Sequence, residues 1–144
     1  MARRPGLSYN DIGFLMLGIS FASRPLRAAT TGITAEYSLG PRGAWFLRLI
    51  SRGGVYPLDI AKLFQIGRSL VTAELVRLAD AGLITYRKTA DDGRRSELTL
   101  TSLGNKVNQR VKAEVRRLVT QRLGAYSREE ILLCARMLRD FQGA

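Results

Sequence analysis

Histidine is absent from this 144-residue chain, and cysteine occurs once, as Cys134. The first absence removes the commonest general base and the commonest metal ligand. The second forbids an intrachain disulfide and a multi-cysteine metal site. A lone thiol fits a reduced, cytoplasmic setting, and no cofactor is implied. The chain also lacks a P-loop and a Rossmann glycine signature. These gaps argue against an enzyme. Acidic residues are scarce as well: 12 Asp and Glu stand against 23 Lys and Arg, a formal charge of +11. That balance favours a polyanionic partner, either nucleic acid or an anionic membrane. Long hydrophobic runs are missing. The apolar stretch 12–22 follows Arg3 and Arg4 and superficially resembles a signal peptide. A membrane-spanning helix needs about 20 apolar residues, more than this stretch offers. Asp11 lies at its edge, and an amphipathic pattern continues through Arg24 and Arg27. We therefore expect no membrane partner.

What is present is a chain with 46% apolar residues, enough for a core. Its length suits one domain or one subunit of a compact dimer. A first helix is expected over about 10–37, weakened by Gly13, Gly18 and Gly32 and kinked or restarted at Pro25. Leu39-Gly40-Pro41 closes it. A second helix follows over 42–52, with Pro41 in its first turn and Gly40 as a modest N-cap. Trp45, Phe46, Leu49 and Ile50 keep helical spacing there, and Gly53-Gly54 ends the helix. Near the C-terminus, Leu103, Val107, Val111, Val115 and Val119 recur every four residues. This is a slanted stripe that wraps a neighbour. Ser127-Arg-Glu-Glu130 is a capping box opening a last helix through Ile131, Ala135 and Leu138. The terminal helices are more apolar than a lone subunit needs, which predicts pairing with a second copy. Cys134 falls within this last apolar stripe, which predicts an inert, buried thiol.

Residues 57–101 carry the strongest pattern. Pro57 to Phe64 reads as a short helix, Gln65-Ile66-Gly67 as a Gly-containing turn, and 68–81 as a second helix. Then come 82–88, a polar turn Asp91-Asp-Gly-Arg-Arg95 centred on Asp92-Gly93, and 96–101. Two helices joined by a tight turn and followed by a basic hairpin read as a winged helix-turn-helix. The expected fold is thus mainly α with a small β-hairpin wing (α+β). In the second helix Leu70, Val71, Leu75 and Leu78 should face the core. Arg68, Ser69, Thr72, Ala73, Val76 and Arg77 fall on or near the other side. Arg can bond guanine O6 and N7, hydroxyls can bond bases or phosphates, and the Ala73 methyl can meet a thymine methyl. A basic turn is ordinarily a solvated loop. Here Arg87, Lys88, Arg94 and Arg95 follow a helix-turn-helix at the spacing of a wing. An arginine at such a tip can enter a narrow minor groove. Asp92 can pair with Arg94 and pre-orient it.

Residues 41–104 resemble the MarR family (multiple antibiotic resistance regulators). The matching pieces are Thr72 with Gly82-Leu83 ten residues on, and the run D-D-G-R-R-S-E-L-T-L-T-x-x-G from Asp91 to Gly104. The resemblance implies a homodimer with a dimerisation region built from segments 1–40 and 102–144, and a DNA-binding lobe over 41–101. It implies a recognition helix in the major groove and Arg94 in the minor groove of a pseudo-palindromic DNA duplex. It further implies repression relieved by a small molecule, often an aromatic acid or phenol. Family pockets lie near the first, second and fifth helices. Phe14, Phe21, Arg24, Trp45 and Arg48 are the candidates here, with a core role for Trp45 as the alternative. Relatives that sense peroxide use a cysteine in the first helix, and this chain has none there. Gly67 stands where many relatives carry a capping Ser or Thr. The competing function is a winged-helix nucleic-acid-binding or architectural protein without effector control.

Overall fold

The computed structural model describes residues 6–89 and 92–143, with the side chains of residue 89 and residues 92–95 outside the description. The fold is mainly helical with one small hairpin. The described elements are α1 (Tyr9–Phe21), α2 (Ser23–Glu36), α3 (Gly43–Ile50), α4 (Pro57–Phe64), α5 (Arg68–Asp80), β1 (Ile84–Thr89), β2 (Asp92–Leu100), α6 (Ser102–Leu123) and α7 (Arg128–Phe141).

The expected first helix is two helices. The Ser8 hydroxyl accepts the Asp11 N–H at 3.1 Å, and the Asp11 carboxylate accepts the Ser8 N–H at 2.8 Å, which starts α1. The chain breaks at Ala22, and Pro25 sits in the first turn of α2, where its missing N–H costs nothing. Nothing in α1 is buried, whereas α2 buries Thr30, Ile33 and Thr34. α2 packs along α6. A bidentate pair ties its end to that helix: Arg110 donates to both Glu36 oxygens at 2.8 Å. The guanidinium hydrogen bonds hold the Glu36 carboxyl below the usual carboxylate range.

The core lies where α3, α4, α5, the root of the hairpin and α6 meet. Phe46, Leu47, Ile60, Leu78, Leu83 and Leu98 are fully buried, with Val71 and Val107 almost so. Each such side chain stabilises the fold by roughly 1.5–3 kcal/mol. Phe64 stacks tilted on Phe46 at 5.2 Å between ring centroids, fixing α4 on α3. The valine stripe of α6 behaves as its drift suggests. Val107 and Val111 are buried, Val115 and Val119 half-buried, and Leu103 at the start is exposed.

The helix-turn-helix turn has its left-handed residue at Gln65 (φ 52), while Gly67 is extended. Several local expectations are corrected. Arg42, not Gly40, is the N-cap of α3. Asp92-Gly93 is not the centre of the hairpin turn, because Asp92 opens β2 paired with Thr89. Cys134 is exposed on this subunit rather than buried. α7 begins with the expected capping box, Ser127 and Glu130 at 2.8 and 3.1 Å, yet it too buries nothing.

Candidate nucleic-acid interface

The first helix of the motif, α4, opens at Pro57. The Asp59 carboxylate accepts the Tyr56 N–H at 2.9 Å and so satisfies one of its free donors. Ile60 plugs the core below. The left-handed Gln65 turns the chain sharply, and α5 starts from Gly67 without a side-chain cap. That leaves the first N–H groups of α5 open next to Arg68 and Ser69.

α5 is two-faced. Val71, Leu75 and Leu78 are buried, and Arg68, Ser69, Thr72, Ala73, Val76 and Arg77 are exposed on the other side. Arg68 and Thr72 line a groove of about 290 Å³ with Pro57 and Leu58 of α4. Leu70 departs from expectation: it is 54% exposed. At about 100° per residue the buried arc runs through Glu74, Leu78, Val71 and Leu75, and Leu70 falls outside it beside Arg77. Glu74 takes the place in the core that Leu70 was expected to fill, at 4% exposure. Its carboxylate accepts the Gly40 N–H on both oxygens at 2.9 and 3.1 Å and the Arg77 Nη1 at 2.9 Å. Sequence reading missed this residue. The available signal was an acid on the core-facing arc of a helix.

The hairpin is antiparallel, with Tyr86 opposite Leu98 and Arg87 opposite Glu97. Its root is bolted to the loop after α3. The Leu98 N–H donates to the Val55 carbonyl at 2.8 Å, and the Gly54 N–H donates to Glu97 Oε1 at 2.7 Å. Arg87 donates to Glu97 Oε2 at 2.8 Å, while its outer side stays 69% exposed. The Arg87 hydrogen bond, with the Gly54 amide second, pulls the Glu97 carboxyl below its ordinary range. Lys88 is exposed on the same strand. The side chains of Asp92, Arg94 and Arg95 lie outside the described residues, and so does Asp91.

The small-molecule candidates fall into two groups. Trp45 and Arg48 line a cleft of about 360 Å³ between α3 and α6, together with Asn108, Val111, Lys112 and Arg116. Asn108 is 2% exposed, and its Oδ1 has no hydrogen-bond partner among the described residues. The half-buried Trp45 also lines a second cleft with Arg27, Arg42 and Phe64. Phe21 and Arg24 form their own pair elsewhere, the guanidinium 4.1 Å above the ring. Phe14 is 81% exposed on α1. Among the described residues, no group of three or more His, Cys, Asp or Glu could hold a metal ion. No described helix is long and apolar enough to cross a membrane.

Solved structures share this architecture. A MarR-family structure from Listeria monocytogenes, complexed with 26mer DNA, superimposes with a TM-score of 0.77 over 89% of this chain and 86% of its own, at 17% identity. The chain has the MarR fold. A MarR transcriptional regulator from Methanosarcina mazei Go1 gives a TM-score of 0.74 over 91% of this chain and 96% of its own, at 17% identity. NadR in complex with 4-hydroxyphenylacetate gives 0.72 over 98% and 97%, at 24% identity. No family sequence model matches the chain, and no curated protein matches it by sequence. The MarR fold gives a structural setting to the sequence run that ends at Gly104. The Thr101 hydroxyl donates to the Gly82 carbonyl and accepts the Gly104 N–H, and the Thr101 N–H donates to the Leu83 carbonyl. Thr101 thus caps α6 and clasps the turn between α5 and β1.

Proposed function

We propose that this chain is a homodimeric, sequence-specific DNA-binding transcriptional regulator, a repressor released by a small aromatic-acid effector. One observation carries the DNA-binding part: a helix-turn-helix presents an exposed α5 face of Arg68, Ser69, Thr72 and Ala73 beside an uncapped, electropositive helix start. The net charge of +11 and the exposed Arg87 and Lys88 supply the electrostatic footprint. A protein of the same fold is solved with DNA. In this reading segments 1–40 and 102–144 pair with a second copy, and 41–101 binds the duplex with Arg77 and the wing residues Asp92, Arg94 and Arg95 at its edges.

Arg68 and Arg94 have different tasks in this reading. Arg68→Ala should relax discrimination at one base position by roughly 1–3 kcal/mol. Arg94→Ala should weaken binding most on A·T-rich flanks and lower the salt slope by about one. Titrating both variants and the parent against an operator and a scrambled duplex at several salt concentrations tests this. Unchanged binding by Arg94→Ala on both duplexes would remove the wing from the mechanism.

The effector part rests on the cleft between α3 and α6. Trp45 offers a stacking face, Arg48, Lys112 and Arg116 offer positive charge, and the Asn108 oxygen, without a partner among the described residues, can accept a hydrogen bond. A protein of this fold is solved with 4-hydroxyphenylacetate, which has an aromatic ring, a carboxylate and a hydroxyl donor. Phe14, Phe21 and Arg24 line neither cleft. They enter the reading only if a second copy brings them to the site.

A further inference from the structure

We infer that Glu74 is the positioning residue of the recognition helix, locking α5 in register with the end of α2. The inference rests on the DNA-binding reading above. Three observations support it. Glu74 is a buried acid whose two oxygens both accept the Gly40 N–H, while Arg77 holds one of them from the solvent side. A Cβ at 40 would collide with the Glu74 carboxylate, and one at 43 would lie 2.7 Å from Glu74 Oε1 and 2.8 Å from the Leu39 Cβ, so either would displace the carboxylate from its present seat. The two glycines leave room for this side chain, which joins residues 34 apart in sequence. The seat is itself anchored. Ser38 adopts a left-handed φ of 55, the Leu39 N–H donates to the Thr34 carbonyl at 3.0 Å, and Glu36 is pinned to α6 by Arg110.

This makes a continuous linkage. α6 holds the end of α2, the turn 37–42 follows from that end, and Glu74 ties the turn to α5. A carboxylate that takes both amide and guanidinium donors makes strong, directional bonds in a dry site. The bonded atoms face the core side of α5, and Arg68, Ser69 and Thr72 lie on the opposite side. Glu74 touches no base. It sets the rotation and height at which those three side chains meet the groove. A shift of α2 against α6 would move α5 through the same bonds.

Two variants test the inference. Glu74→Gln keeps the volume but puts an amide N–H₂ against donors from Gly40 or Arg77. Glu74→Met removes the buried charge at similar volume and leaves the Gly40 N–H without its acceptor, so some loss of stability accompanies it. Both are measured well below their melting temperatures, with circular dichroism and sedimentation matched to the parent. We expect the ratio of operator to scrambled-duplex affinity to fall about tenfold or more in both, because the reading face is misplaced. Affinity for the scrambled duplex and its salt slope should stay within about twofold of the parent, because no phosphate contact is lost. A folded Glu74→Met variant that keeps the parent's ratio overturns the inference. So does failure of both variants to fold, which would make Glu74 a folding residue only. A parent protein without any operator preference would instead overturn the DNA-binding reading itself.

Discussion

A side chain at position 104 has nowhere to go. A Cβ built there falls well inside van der Waals contact with the Leu83 carbonyl, which is backbone and cannot yield cheaply. The same carbonyl accepts the Thr101 N–H. Gly104→Ala should therefore push α6 off the α5–β1 turn and destabilise the fold by roughly 1–3 kcal/mol or more. Chemical denaturation of the variant checks this, and a loss below half a kcal/mol would show that the turn adapts. Asn108 makes the opposite prediction. Its buried Oδ1 has no partner among the described residues, so Asn108→Leu should hold or raise the melting temperature while abolishing any thermal shift caused by hydroxylated aromatic acids. A variant that keeps the shift would place the effector elsewhere. The two residues differ in how far sequence revealed them. The position of Gly104 was legible as the end of a motif, though its steric reason needed the fold. Asn108 was invisible, because nothing in its neighbourhood of charged residues marks one amide oxygen as buried.

At the level of elements, periodicity and caps located what local physics controls. The start of α7 followed from the Ser127 capping box, α6 from its valine stripe, and the helix-turn-helix from its spacing. Elements governed by tertiary contacts were less legible. Gln65 adopts the left-handed conformation although Gly67 stood nearby, and Gly67 is the extended N-cap of α5. The hairpin register shifts between Lys88 and Thr89, which moves Asp92 into the strand. Leu70 was read as core because hydrophobicity cannot reveal that Glu74, bonded to Gly40, takes the inner position. The terminal helices give the prediction at this scale. α1 shows Phe14 at 81%, Met16 at 60% and Leu17 at 59% exposure, and α7 shows Met137 at 57% and Phe141 at 68%. Two apolar helices with nothing buried predict a partner that covers both. Sedimentation at micromolar concentration should give twice the 16.0 kDa of one chain. A clean monomer would contradict the dimer. The exposed Cys134 lies on α7, so the same partner would decide whether that thiol meets solvent.

For the whole molecule, charge and fold point to the proposed act of DNA binding by a dimer. In the proposed reading, a basic chain with the MarR fold offers one reading helix and one basic wing, and a two-fold pair would offer two of each, facing successive turns of one duplex. Charge alone would give affinity without sequence preference, whereas a placed α5 face must give preference. In vitro selection from a random duplex library, at near-physiological salt, separates these directly. A dimer reading DNA through α5 should enrich a pseudo-palindrome whose half-sites lie about 10 base pairs apart, centre to centre, and Arg68→Ala should lose that enrichment. Selection that returns no shared sequence, or a single unrepeated half-site, would contradict this reading.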